Sequence, residues 1–158
     1  MRQLETSSSE GPNSLSNWWR KVNPLKVSWN YALISLSRFC PSLRLKRSLL
    51  RATGMKVGKD VSIGLHAMFD VFFPELIELG DGCIIGYNTT ILSHEFMKEH
   101  YSKGKTKIGK GAVIGANSTV LAGVEVGDES VVSAMSLVNQ DIEPGSFAGG
   151  VPCSKLRP

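Results

Sequence analysis

Residues 108–128 read IGKGAVIGANSTVLAGVEVGD, and an aliphatic side chain returns every six positions, at Ile108, Ile114, Val120 and Val126. The rule continues to Val132 and Val138. The next position is Gly109, Gly115, Gly127 or Ser133 in four of these six hexads, and four positions after each aliphatic stand Ala112, Ser118, Val124, Ser130, Ser136 and Ile142. Upstream, the same spacing gives Val57-Gly58, Ile63-Gly64 and Phe69-Asp70, then Leu79-Gly80, Ile85-Gly86 and Ile91-Leu92. Twelve hexads result, interrupted by residues 75–78 and 97–107.

A period of six is neither the helical 3.6 nor a plain strand alternation. It describes a coiled parallel sheet with one short strand and one corner per hexad, three hexads making a triangular turn. The recurring aliphatic points into the prism and stacks on its equivalent one coil away, about 4.8 Å distant, so burial is repeated along an axis. The small residue that follows permits a sharp corner. The fold class is therefore mainly β: about four triangular coils over residues 57–143, with short α-helices before them. Both open ends of such a stack need covering, and residues 14–56 and a tail at 144–158 are the available caps.

The rest of the 158-residue chain differs in kind. Residues 1–56 carry ten Lys/Arg against two Asp/Glu, a net +8, whereas residues 57–158 carry eight against twelve, a net −4. All three tryptophans fall in the first part and fourteen of sixteen glycines in the second. The overall +4 argues for neither a nucleic-acid partner nor an acidic tail. Leu25, Trp29, Ala32, Leu36 and Phe39 recur at helical spacing between Pro24 and Pro41. A second helix is expected at 43–52, with Leu45 and Leu49 on one side, Arg44, Arg47 and Arg51 on the other, and Gly54 ending it. Such a stripe packs on the prism or on another subunit. The alternative is peripheral attachment of residues 14–56 to anionic lipid, given Trp18-Trp19-Arg20-Lys21 and the local charge. Residues 1–13 read as a loose, disordered tail without a secretory signal. Cys40, Cys83 and Cys153 stand at no metal or redox spacing, so the default setting is the reducing cytoplasm. The longest apolar stretch, residues 25–40, is short for a membrane span.

These hexads, together with ILSHEF at 91–96 beside an interrupting loop (95–107) and the ending FAGGVPCSKLR at 147–157, resemble the hexapeptide-repeat acyltransferases, in the branch of the maltose and galactoside O-acetyltransferases. The resemblance runs from about residue 57 to 158. It implies a left-handed parallel β-helix, against the usual right-handed crossover. It also implies a homotrimer with sites between subunits, acetyl-CoA as co-substrate without a metal, and a small-molecule or saccharide hydroxyl as acceptor.

Acetyl transfer to a hydroxyl needs a base for its proton and a donor for the oxyanion. His94 in ILSHEF matches the family's catalytic histidine, an imidazole suited to proton transfer near neutrality, and Glu95 stands beside it to orient or charge-balance the ring. Asp70 and His94 both occupy third hexads of their coils. The coil arithmetic sets them roughly 8 Å apart, with room for an acceptor between, and the resemblance gives Asp70 the role of holding acceptor hydroxyls. Ala116 and Ala134 hold matching places in the second hexads of the third and fourth coils. The resemblance assigns their backbone to the thioester and the pantetheine arm, and Arg157 or Lys155 to the nucleotide phosphates. One departure stands in this donor region: relatives carry Thr-Lys-Asp at the last hexad, where this chain has Asn139-Gln140-Asp141.

Two rival readings apply to the same prism. The histidines His66, His94 and His100 invite comparison with the metal-dependent carbonic anhydrases of this fold, but His66 falls on another face and His100 in the loop. A non-catalytic scaffold is the second, and it gives no reason for a histidine beside an eleven-residue interruption.

Overall fold

The computed structural model describes residues 2–9 and 12–157, the side chain of Arg157 excepted. The chain winds into a triangular prism of parallel strands. The first face stacks Lys56–Val57, Ile77–Leu79, Thr106–Ile108 and Glu125–Val126; the second stacks Ser62–Ile63, Ile84–Ile85, Val113–Ile114 and Val131–Val132; the third stacks Met68–Phe69, Thr90–Ile91, Thr119–Val120 and Leu137–Val138. Every hexad aliphatic from Val57 to Val138 is buried. Each such side chain contributes roughly 1.5–3 kcal/mol relative to exposure. The six-residue period is thus the period of the core.

The corners explain the glycines. A Cβ added at Gly86 would lie 2.6 Å from the Ala116 nitrogen, and one at Gly115 would lie 2.3 Å from the Ala134 nitrogen. Consecutive coils approach backbone to backbone there, so any side chain would force them apart.

Both interruptions acquire structure. Residues 74–76 form a single 3-10 turn leading into the second coil. The longer one becomes a hairpin, His94–Phe96 antiparallel with His100–Lys103. The segment before residue 14 is not a loose tail throughout, as the sequence suggested. Glu5–Ser8 adds an antiparallel strand to His100–Lys103, and the Gln3 amide donates to the Gly123 carbonyl at 3.0 Å. Met1, Glu10 and Gly11, also in that segment, lie outside the described residues.

The lower end is closed by helices α1 (Pro24–Phe39) and α2 (Leu43–Arg51), N-capped by the Asn23 and Ser42 side chains. The cations of α2 serve the open strand edge. Lys46 Nζ donates to the carbonyls of Ile63 and Gly64 at 3.0 and 2.9 Å, Arg47 to Val61, and Arg51 to Val57 and Gly58. Edge carbonyls of the first coil that lack a strand below them thereby gain charged donors. Burial lowers the pKa of the Lys46 ammonium below the usual lysine value, the nearby Cys40 opposing this only in part.

The apolar stripe of α1 does not, for the most part, pack on its own prism. The buried residues of the helix are Val27, Asn30, Ile34 and Ser37, whereas Leu25, Trp29, Ala32, Leu36 and Phe39 all face outward. Ile34 reaches the core, and Asn30 anchors the helix through a 3.0 Å bond from its amide to the Val71 carbonyl.

The upper end continues past four coils. Ile142 bridges to Val126, and Phe147–Gly149 adds in parallel to the second face before Ser154–Arg157 folds back on it. The expected C-terminal tail is therefore a partial fifth coil that closes the top edge.

Candidate active site

His94 begins the hairpin strand that leaves the third face, and Asp70 directly follows the third-face strand Met68–Phe69 one coil below. The coil arithmetic gives a backbone separation, and the two side chains close it: His94 Nδ1 contacts Asp70 Oδ2 directly, which leaves no room for an acceptor between them. Asp70 Oδ2 also accepts the amides of Ser93 and His94 at 2.9 and 3.0 Å. Oδ1 accepts the amides of Phe72 and Phe73 at 2.9 and 3.0 Å.

The Asp70 side chain is 0% exposed, and that of His94 is 14% exposed. Burial alone would raise the Asp70 pKa. The hydrogen bond and charge of the His94 ring, with the Ser93 and Phe73 amides, outweigh it and hold the carboxyl below the usual carboxylate range. An ionised Asp70 accepts hydrogen bonds only, so Nδ1 of His94 carries a proton, and whenever the ring is neutral its lone pair is at Nε2. With its side chain closed off and both oxygens engaged, Asp70 faces the histidine and not an open acceptor space.

The surroundings of the imidazole are aromatic, which the hexad pattern did not reveal. Phe72 and Phe96 lie edge-on with ring centroids 4.8 Å from His94, and Phe73 at 5.8 Å. Trp18 meets Phe72 at 5.5 Å, and Tyr101 meets Phe96 at 5.9 Å. The available signal was the Phe72-Phe73 pair, two large apolar residues that follow Asp70 and Val71. Lys21 Nζ lies 4.4 Å from the Tyr101 centroid and donates to Ser9 Oγ at 2.6 Å. The segment before α1 thus reaches the edge of this cluster.

Glu95 pairs with Arg2 and turns to the N-terminal strand. Ala116 and Ala134 are in register one coil apart, the Met135 amide donating to the Ala116 carbonyl at 2.9 Å. They sit at the corner between the second and third faces, whereas His94 leaves the corner between the third and first. Within one chain the two sets are on different corners. Lys155 pairs with Glu143 at 2.8 Å, which lowers the Glu143 pKa. The side chain of Arg157 lies outside the described residues. In the departing run, Gln140 donates to the Cys153 carbonyl at 3.0 Å and Asp141 accepts the Glu125 amide at 2.9 Å.

The loop lysines are engaged as a solvated face: Lys103 with Glu5, Lys105 with Glu78 and Lys107 with Glu125. The three histidines do not converge. His66 stands at a corner between the rings of Phe39 and Tyr87, at 5.2 and 5.4 Å, and His100 lies in the hairpin. Among the described residues there is no cluster of three or more side chains able to hold a metal ion.

The family profile described as the hexapeptide repeat of succinyl-transferase matches residues 54–93 and 105–136. The chain is 45% identical over 153 residues to YvoF of Bacillus subtilis (strain 168), a protein carrying a provisional acetyltransferase name; the match covers 96% of this chain and 89% of that one. It is 35% identical over 112 residues to galactoside O-acetyltransferase of Escherichia coli (strain K12), covering 63% of this chain and 55% of that one. Among solved structures it resembles the hexapeptide-repeat acetyltransferase VCA0836 of Vibrio cholerae complexed with acetyl-CoA, with a TM-score of 0.62 and 22% identity over 84% of this chain and 86% of that one.

Proposed function

Because the chain belongs to the hexapeptide-repeat acyltransferases, in the branch of the maltose and galactoside O-acetyltransferases, and is a CoA-dependent acetyltransferase with the left-handed β-helix of that family, we propose that it transfers acetyl from acetyl-CoA to a saccharide hydroxyl with His94 as general base. The observation that carries this reading is the His94 ring, held at Nδ1 by a buried, ionised Asp70.

The residues divide the work as follows. His94 Nε2 takes the acceptor's proton as the hydroxyl oxygen attacks the thioester carbon. The Asp70 carboxylate fixes the ring orientation and stabilises the imidazolium that forms. The tetrahedral oxyanion collapses, the carbon–sulfur bond breaks, and the imidazolium returns its proton to the departing CoA thiolate. The Ala116 amide is the oxyanion donor and the Ala134 backbone guides the pantetheine arm. Lys155 and Arg157 meet the nucleotide phosphates. Glu95, through Arg2, holds the hairpin against the N-terminal strand and acts as a positioning residue.

Since His94 and the alanine pair stand on different corners of one prism, the complete site forms between two subunits of a homotrimer. Phe72, Phe96 and Tyr101 offer an apolar wall suited to the C–H face of a sugar ring. Asp70 takes no part in holding the acceptor here, its oxygens being committed.

The test is thiol release from acetyl-CoA with a panel of mono- and oligosaccharides, with the acetylated product identified by mass spectrometry. Acceptor-dependent release with an O-acetyl product is expected. Release that no saccharide in the panel stimulates, while an amine acceptor does, contradicts the saccharide assignment.

A further inference from the structure

We propose that the lower end of the prism docks on an anionic lipid surface through α1. Three observations converge on it. The apolar stripe is largely exposed: Leu25, Trp29, Leu36 and Phe39 are 80%, 58%, 57% and 65% exposed, opposite the face that carries Val27, Asn30 and Ile34, although the Trp29 indole donates to the Ala52 carbonyl at 3.4 Å and the Phe39 ring meets His66. For a helix packed on a domain, the apolar face normally points inward.

The second observation is where that stripe points. The His66 amide donates to the Arg38 carbonyl, Asn30 donates to Val71, and Lys46, Arg47 and Arg51 donate to first-coil carbonyls. Both helices therefore lie beneath the first coil, along its open strand edge. The face of α1 opposite these contacts points away from the first coil. Neighbouring prisms packed side by side about a parallel axis leave that end free, and they align their ends in one plane. On the homotrimer proposed above, three such stripes are presented together.

Charge chooses the occupant. Residues 14–56 hold nine Lys/Arg and not one Asp or Glu. Among the described residues the only ion pair these cations make is Lys26 with Glu75. Arg20 and Arg44 are exposed, and Trp19, beside Arg20, is 51% exposed. Aromatic and leucine side chains on one face with an uncompensated positive field beside them fit the headgroup region of a bilayer bearing anionic phospholipid, where each cation adds to the attraction. No helix among the described residues is long and apolar enough to cross a membrane, so the contact is lateral and reversible.

The test is co-sedimentation of the full chain with phosphatidylcholine vesicles, with and without phosphatidylglycerol, alongside light scattering of the protein alone. Binding is expected with phosphatidylglycerol at low salt, and its loss at high salt. Leu25→Ser with Leu36→Ser should lower the partition coefficient by about tenfold or more. Arg20→Gln with Arg44→Gln should lower it by about fivefold per charge and leave the apolar stripe intact. Equal binding to both vesicle types, or none to either, overturns the proposal. So does a fall in the assembly mass of the Leu25/Leu36 variant, which makes the stripe the seat of a second copy of the chain. The readouts do not depend on acetyl transfer, so failure of the catalytic reading and failure of the docking reading are separate results.

Discussion

Asp70 and His94, one coil apart on the third face, form a single hydrogen-bonded unit in which the carboxylate also gathers four backbone amides from Phe72, Phe73, Ser93 and His94. The same carboxylate thus folds the turn after its own strand, starts the hairpin that carries the histidine, and fixes the ring. Orientation of the His94 ring is built into the coil and does not wait for a ligand.

Replacing Asp70 by Asn keeps one acceptor oxygen but removes the charge. The expected result is a fall in kcat on the order of 10²–10⁴-fold with the KM for acetyl-CoA little changed. Its pH signature follows from the depressed pKa. A carboxylate held below its unfolded value of about 3.9 stabilises the fold fully above that pH and loses the contribution as pH falls through its folded value. Denaturant titrations between neutral and acidic pH should show this slope in the wild type and not in Asp70→Asn.

At the donor corner the prediction is steric. Gly115→Ala places a Cβ 2.3 Å from the Ala134 nitrogen, which should cost about 1–3 kcal/mol and raise the KM for acetyl-CoA. Gly145→Ala is the comparison. Its Cβ meets nothing within 4 Å but its φ is +67°, so about 1–2 kcal/mol of backbone strain is expected with KM unmoved. Chemical denaturation and initial rates check both.

Lys46 closes the bottom edge. Lys46→Met leaves the Ile63 and Gly64 carbonyls without their donor, and an unsatisfied buried acceptor costs about 1–3 kcal/mol. The folded pKa of Lys46 is lowered by burial, so the unfolded chain binds the proton more tightly. Stability should therefore rise as pH climbs from the folded value toward the ordinary lysine pKa of about 10.4. That slope should vanish in Lys46→Met, as melts across alkaline pH will show.

A site shared between subunits predicts complementation. His94→Ala and an Ala116→Trp variant, each inactive alone, should recover roughly a quarter of wild-type activity when unfolded and refolded together at equal ratio, since random trimers contain intact pairs. Mixtures no more active than either parent contradict a shared site.

The hexad spacing carried the fold because each inward hexad residue is buried in the core and the corners after the first and second faces carry a glycine or serine; twelve positions stated one rule. The ends were less legible. A strand pairing such as Glu5–Ser8 on the hairpin depends on a partner nearly a hundred residues away, and nothing in a polar ETSS segment announces it. The stripe on α1 was visible, but its direction was not: Ile34 and Asn30, which seat the helix, are no more prominent in the sequence than Trp29 and Leu36. At the site, His94 stood out by its motif. Its direct contact with Asp70 did not, because coil spacing places the backbones and says nothing of where the two side chains turn.

The central claim is that His94 removes the acceptor proton. Its most direct measurement is kcat/KM for acetyl transfer in wild type and His94→Ala, with coenzyme binding and the circular dichroism melt followed in parallel. The account predicts a fall on the order of 10²–10⁴-fold with coenzyme affinity and fold retained. A variant that keeps kcat/KM within about threefold of wild type, a difference below 1 kcal/mol, contradicts it.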